Sequence, residues 1–408
     1  MFSKSKEEKS YSELNNVEKK KNLLRKKVVR YLYFHGPKSS IDISNRLKAS
    51  VPTIISMISD MCESGVIAEE GQGASSGGRR PLLYGLRRDS LYILGIDIGR
   101  YATKMAIYNA RMEAITGLQL FEMVLINKEV FLDQIVAYAQ KLIAESGISK
   151  EKLIGVGIDM PGLVDSENGR NFTFFTQKNG TLAQLLTKKF DIPVYIESDA
   201  KARALAEFRF GLAKGKKNVL VLHIGWGVGL GMILNGKLYR GNNGFAGEFS
   251  HMPFIENGLL CNCGKQGCLE TEASGKALVR LAEESLAKGK HSLLSEMIKG
   301  KPNEQIPKII IDAAFSGDQL AISIISKVGL ELGKGISTLI QLFNPELIIL
   351  GGRLADANHY LLTPIQQSLN HFCIRKLSEQ TEIVISELGA NANILGAVAM
   401  VVENVFEI

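Results

Sequence analysis

Apolar positions in the first ninety residues follow short helical periods broken by turn residues; after Leu91 they become strand-like runs. Residues 19–34 set Leu24, Val28, Tyr31 and Leu32 at i, i+4, i+7 and i+8, one face of a helix. Gly36-Pro37 stops it. Ser39 or Ser40 can cap a short second helix over 41–47. The turn Lys48-Ala49-Ser50 leads to a third helix over 51–64, with Ser50 as N-cap and Pro52 in the first turn, where its missing N–H costs little. Ile54, Ile55, Ile58 and Met61 are expected to face inward, and Gly65 to end the helix. A strand over 66–69, a Gly/Ser loop over 71–80 and a strand over 81–86 complete a winged helix-turn-helix. In such a module the third helix enters the major groove. Thr53 and Ser56, next to the capping Ser50, are the polar residues placed for base edges. Lys48, Arg79 and Arg80 are placed for phosphates, the two arginines from the wing.

The body reads as buried strands joined by helices. Strands are expected over 91–99, 103–110 and 152–160, the last running into Pro161-Gly162-Leu163-Val164-Asp165. A short apolar run, 192–196, delivers Glu197-Ser198-Asp199 to a helix over 200–211, so that the Asp199 carboxylate sits at a helix N-terminus. A strand over 218–224 opens the glycine-rich turn 225–231, and 232–241 returns. Helices over 327–342 and 392–403 flank a strand over 347–350 that ends in Gly351-Gly352. Two glycine-bearing hairpins, each after a buried strand, point to a duplicated α/β architecture whose turns can wrap phosphate with backbone N–H groups.

Charge sharpens the division. Residues 1–88 carry 17 Lys and Arg against nine Asp and Glu; the remaining 320 residues carry 32 against 33. All the basic excess therefore lies in the head, the footprint of a nucleic-acid-binding module. The stretch 247–270 adds metal chemistry. His251, Cys261, Cys263 and Cys268 make a Cys₃His set suited to tetrahedral zinc, with Gly264 and Gly267 allowing the tight backbone of a knuckle. Glu248 and Glu270 bracket it. Clustered cysteines beside isolated Cys62 and Cys373 fit a metal site in a reducing compartment. No apolar run reaches membrane-spanning length and the N-terminus lacks a signal-peptide core, so no membrane association and a cytoplasmic location are expected.

Together these residues resemble the ROK family of repressors, open reading frames and sugar kinases. The matching pieces are GIDIG at 95–99, PGLVD at 161–165, ESDAKARALAEF at 197–208, GWGVGLGMILNGKLYRG at 225–241, GEFSH at 247–251, CNCGKQGCLE at 261–270 and NPELIILGG at 344–352. The head, including SSGGRRP at 75–81, is similar to the regulator branch, that of the N-acetylglucosamine and xylose repressors. The resemblance implies an α/β, actin/hexokinase-like (ribonuclease H-like) two-lobe body with a sugar between the lobes. It divides the chain into a flexible basic N-terminus, 1–18, a winged helix, 19–88, lobe 1 over 89–200 plus 391–408, and lobe 2 with the knuckle over 201–390. It also implies a general-base role for Asp199 if kinase activity is retained. Gly162, Ser198, Asp199, Glu248, His251 and Glu270 are implied as sugar-binding residues.

The nucleotide side departs from the family pattern. Where the kinases read D-x-G-G-T-K, this chain reads Asp97-Ile98-Gly99-Arg100-Tyr101-Ala102-Thr103-Lys104, with a glycine missing and two residues inserted. Trp226, the only tryptophan, replaces a phosphate-binding hydroxyl in the second turn. Ser198 stands where the kinases have Asn. Phosphoryl transfer depends on positioning and charge stabilisation, so ATP and Mg²⁺ are not expected as cofactors. The chain reads as a sugar-responsive regulator, a repressor, with structural Zn²⁺. Its expected partners are operator DNA and a sugar or sugar-phosphate effector, and it is expected to form a homodimer or dimer of dimers. The alternative is an ATP-dependent, glucokinase-like sugar kinase carrying a DNA-binding head.

Overall fold

The computed structural model describes residues 15–74, 80–177 and 179–407. Residues 1–14, most of the N-terminal segment 1–18, and the wing residues 75–79, Arg79 among them, lie outside the described residues. The chain divides into two compact units: one holds everything up to Ser198 together with Ile394–Ile408, the other Asp199–Asn393.

The head opens the first unit. Helix α1 (Asn16–His35) starts at a capping box in which Asn15 accepts from the Glu18 N–H and the Glu18 carboxylate accepts from the Asn15 N–H. Strand β1 (Lys38–Ser39) leads into α2 (Ser40–Leu47), capped by Ser39, and α3 (Val51–Glu63) follows, capped by Ser50. Strands β2 (Ile67–Gln72) and β3 (Leu82–Leu86) form the wing, and β1 joins them in the antiparallel order β1-β3-β2. Two expectations about the core change. In α1 the buried side includes Val29, Tyr33 and Phe34 as well as Val28 and Leu32, whereas Leu24 and Tyr31 are only half-buried. In α3 Met57 is buried and Ile55 is 53% exposed, so Ile55 does not face inward.

The head is fastened to the body of its unit. The Arg111 guanidinium pairs with Glu70 on β2 and donates to the Leu86 carbonyl on β3 at 3.2 Å. Arg88 pairs with Glu113 at 2.6 Å, and Arg30 of α1 with Glu403 at 3.8 Å. Burial pushes the Tyr33 phenol far up, and Tyr108 of the body adds to the shift. The second buried side of α1 thus faces the body, which periodicity within α1 alone cannot reveal.

That body is built on a five-stranded sheet. In chain order come β4 (Tyr92–Ile98), β5 (Ala102–Asn109), β6 (Gln119–Glu122), α4 (Glu129–Glu145) and β7 (Leu153–Met160). The pair β8 (Val164–Asp165) and β9 (Arg170–Asn171) leads to α5 (Leu182–Phe190) and β10 (Val194–Ser198). The sheet order is β10-β7-β4-β5-β6: β4–β5–β6 is an antiparallel meander, and β7 and β10 add in parallel. The chain's last helix packs directly on this sheet, so closely that a Cβ on Gly157 would lie 2.1 Å from the Ala397 carbonyl oxygen.

The second unit repeats the plan. After α6 (Asp199–Phe210) come β11 (Val219–Ile224), β12 (Val228–Leu234) and β13 (Lys237–Leu238), another antiparallel meander. Helices α7 (Gly275–Ala287), α8 (Leu294–Met297), α9 (Ile306–Phe315) and α10 (Gln319–Phe343) precede β14 (Leu347–Gly351). Then α11 (His359–Phe372), α12 (Arg375–Ser378) and β15 (Glu382–Ile385) lead to α13 (Ala392–Val405), which returns to the first unit. β14 and β15 add in parallel beside β11, giving β13-β12-β11-β14-β15. The same five-strand topology occurs twice behind a winged helix, the fold class expected from the sequence. Only part of the glycine-rich run 225–231 is a turn: Val228–Gly231 belongs to β12. Gly229 and Gly231 admit α6, since a Cβ on Gly231 would sit 2.4 Å from Ala204 Cβ. Among the described residues no single helix is long and apolar enough to cross a membrane.

Candidate functional site

The knuckle lies in the segment between β13 and α7. A 3₁₀ turn, Phe249–His251, is anchored by Phe249, which is buried in the second unit's core. The chain then folds back on itself through bridges between Pro253 and Cys268 and between Leu260 and Gln266. Cys261 donates its N–H to the Lys265 carbonyl at 2.8 Å, and Gly264 returns one to the Cys261 carbonyl at 2.9 Å. Gly264 has φ +89° and Gly267 φ +75°, left-handed conformations that favour glycine; a Cβ on Gly267 would also meet the Ile255 carbonyl oxygen at 2.0 Å.

This loop gathers all four residues expected from the sequence. The ligand atoms of His251, Cys261, Cys263 and Cys268 lie within 4.8 Å of one another. His251 Nδ1 is 3.6 Å from Cys261 Sγ, and the Cys263 and Cys268 sulfurs are 3.5 Å apart. A tetrahedron with metal–sulfur bonds of about 2.3 Å has edges near 3.8 Å, so the donor set fits a metal ion. Burial pushes the Cys268 thiol up to about 12, while the Lys265 N–H lowers that of Cys263. A divalent ion would compensate the charge of buried thiolates.

The neighbouring carboxylates are held by different elements. Glu270, in the 3₁₀ turn Leu269–Thr271, accepts the Val228 N–H at 3.3 Å and faces Lys276 Nζ at 3.4 Å. A Cβ on Gly227 would lie 2.5 Å from Glu270 Oε2, so the second glycine turn is shaped around this carboxylate. Glu248 Oε2 lies 3.9 Å from His251 Nε2. The imidazole therefore presents Nδ1 to the thiols and Nε2 to Glu248. Asp199 is the first residue of α6, one position earlier than expected, and its Oδ1 accepts the Ala200 N–H at 2.8 Å. Ser198 closes β10, and Gly162 has φ +103° beside Thr173 and Asn171; both belong to the first unit.

The two hairpin turns differ. In the first, the Gly99 N–H donates to the Ala102 carbonyl at 2.9 Å. The Arg100 and Tyr101 carbonyls accept from Leu125 and Met123 at 2.8 and 3.2 Å. The inserted pair thus closes the turn on itself and straps it to segment 123–125. In the second, the Gly225 N–H donates to the Gly227 carbonyl at 2.9 Å, and α7 donates to the turn from Gly275 and Lys276, at 2.9 and 3.4 Å. Trp226 is half-buried and packs on the core. His223 was missed in the sequence. It lies on β11 between two glycine turns, with its Nε2 3.0 Å from where a Gly225 Cβ would be and its Nδ1 2.7 Å from a Gly352 Cβ. Its place within an apolar run concealed it.

On the head, Lys48, Ser50, Thr53 and Ser56 are exposed. Lys48 takes a left-handed φ of 53° at the end of α2. Ser50 Oγ caps α3 and shares a 2.7 Å hydrogen bond with Thr53 Oγ1. Arg80 is exposed; the role expected for Arg79 falls on a residue outside the described ones. Ile55 joins this exposed face of α3, and its periodic apolar spacing disguised it as core.

Comparison with known proteins follows the same lines. A family model described as ROK family matches residues 93–404. Over 389 residues the chain is 30% identical to a xylose repressor of Bacillus spizizenii, covering 95% of this chain and 97% of that one. It is similar to a crystal structure of a ROK family transcriptional regulator, a homolog of the E. coli Mlc protein, with TM-score 0.80 and 26% identity over 95% of this chain and 96% of that one. A ROK family glucokinase from Streptomyces griseus, solved with glucose and AMPPNP, aligns with TM-score 0.63 and 28% identity, covering 76% of this chain and 98% of the other.

Proposed function

The chain belongs to the ROK family, and from that premise we propose that it is a sugar-responsive, DNA-binding transcriptional regulator acting as a repressor. The extent of the likeness carries the reading. The repressor and the regulator pair with nearly the whole chain, head included, whereas the glucokinase pairs with 76% of it.

In this reading the winged helix binds operator DNA. Lys48, Ser50, Thr53 and Ser56 present α2 and α3 to the groove, with Ile55 as an apolar contact, and Arg79 and Arg80 meet phosphates. Zinc occupies the Cys₃His set. Four protein ligands leave no open position, so the metal is structural. Its task is to fix the His251 tautomer and the backbone beside Glu270. Asp199, Glu248, His251 and Glu270 of the second unit contact the effector, a sugar or sugar phosphate. The protein acts in the cytoplasm as a homodimer that sets two heads on two half-sites. A ligand changes DNA affinity only by binding the DNA-competent and DNA-incompetent states differently.

Fluorescence anisotropy with DNA from the promoters of adjacent genes tests this. DNA affinity should fall steeply as salt rises from about 50 to 200 mM. At least one of D-xylose, D-glucose, N-acetylglucosamine and their phosphates should shift it by about fivefold or more. Affinity flat in salt, or indifferent to every sugar, overturns the proposal. Retention of Asp199 favours a second reading, a kinase, which sugar-dependent ATP turnover above about 1 s⁻¹ would support.

A further inference from the structure

Glu270 is supported on two sides, and only one belongs to the metal. Before it, Cys268 is a donor of the cluster and the Leu269 N–H is tied to the Met252 carbonyl at 3.1 Å. After it, the chain is gripped by α7. Arg280 Nη2 donates to the Thr271 carbonyl at 3.1 Å and to Glu272 Oε2 at 2.8 Å, and Nη1 donates to Glu284 Oε1 at 3.0 Å. One turn earlier on the same helix, Lys276 Nζ faces Glu270 Oε1 at 3.4 Å. Positions 276 and 280 are four apart and share a helix face.

That face looks toward the knuckle. A cavity of about 220 Å³ separates them, lined by Leu260, Cys261 and Asn262 on one side and Glu270, Lys276 and Arg280 on the other. The α7 start is itself fixed by Ser274, whose hydroxyl caps the Ala277 N–H at 3.3 Å, and by the Gly275 and Lys276 bonds to the Trp226 turn. Arg280 is suited to the grip because its planar fork engages a carbonyl and two carboxylates at once.

We propose that Lys276 and Arg280 are positioning residues for ligand recognition: Arg280 locks the backbone turn that carries Glu270, and Lys276 aims its carboxylate, independently of the metal. The idea rests on the sugar-responsive reading, because it assigns the clamp a ligand to serve.

Two measurements on the full-length, zinc-loaded protein test it. Hydrogen exchange needs no sugar. Arg280→Ala should speed amide exchange in residues 269–273 about tenfold, the loss of a charge-assisted hydrogen bond. Arg280→Lys should recover part of it, zinc should stay at one per chain, and α9–α11 should be unchanged. Unaltered exchange at 269–273, or loss of zinc along with it, overturns the proposal. Binding of D-xylose, D-glucose and N-acetylglucosamine is then followed by Trp226 emission. For whichever binds, Lys276→Met should weaken affinity about tenfold and Lys276→Arg restore it; equal affinity in Lys276→Met overturns the aiming role. If none of these sugars or their phosphates binds the wild type, the sugar reading fails, while exchange still decides the clamp.

Discussion

The two sheets share one topology, yet their hairpin turns have become different objects. Both close through a backbone bond of their own, but the first, Gly99–Ala102, is strapped to residues 123–125. In the second, Gly225–Gly227 is clasped by α7 and moulded around Glu270, which a loop after β13 brings back. The corresponding link after β6 is short, running from Glu122 to Glu129. Identical scaffolding therefore does not set the chemistry. The difference comes from what the chain inserts after the third strand, and the longer insertion holds the metal donors.

The largest effect should come from removing that insertion's anchor. Chelation, or Cys268→Ser, should destabilise the second unit by about 3 kcal/mol or more, as loss of a structural metal does. The sugar response of Trp226 should go with it. Thermal unfolding with and without zinc checks this, and unchanged melting would show that the loop needs no metal. Metal uptake must displace a proton from Cys268, whose thiol burial pushes up to about 12. Metal affinity should therefore fall as pH falls, visible by titrating zinc into the apoprotein at two pH values.

Smaller effects should separate glycines that admit a helix from the one that merely turns. A Cβ at Gly157 or Gly231 would strike the Ala397 or Ala200 carbonyl oxygen at 2.1 or 2.6 Å. Gly157→Ala and Gly231→Ala should each cost about 2–4 kcal/mol, in the overpacking range. Gly99→Ala meets only the Ala102 carbonyl across its own half-buried turn, at 2.8 Å, and should cost about 1 kcal/mol. Denaturant titrations of the three variants would undo the distinction if Gly99→Ala proved the most damaging.

What the sequence revealed depended on how local the physics was. The donor set His251, Cys261, Cys263 and Cys268 was legible because ligand chemistry resides in residue type and spacing. The start of α3 was legible because Ser50 and Pro52 act within one turn. The inner face of α1 was read only in part, since the body, with Tyr108 near the buried Tyr33, adds a neighbour that the head's own sequence does not announce. Ile55 was misread because apolar periodicity records where a side chain can be buried, not whether a neighbour arrives. Gly229 and Gly231 looked like part of a phosphate turn, and their reason is the approach of α6. Arg280 gave no signal: a basic residue on a helix is ordinary, and only the fold brings the Thr271 carbonyl and Glu272 to it.

The smallest expected effect is also the sharpest test of the comparison. Trp226→Thr returns a hydroxyl to the second turn, the group that the family pattern places there. If that substitution alone had silenced phosphoryl transfer, the variant should phosphorylate a sugar. The first turn argues otherwise. Its Gly99 N–H is committed to the Ala102 carbonyl, and the inserted Arg100 and Tyr101 face their carbonyls toward Leu125 and Met123. Repairing one hairpin leaves the other closed, and a positioned phosphate needs both. A coupled ATP assay on Trp226→Thr should therefore stay well below about 1 s⁻¹. Deleting Arg100 and Tyr101 in the same variant asks whether opening the first turn adds activity. Turnover in the single variant would mean that the first hairpin is no barrier, and that the contrast between the two sheets lies in Trp226 alone.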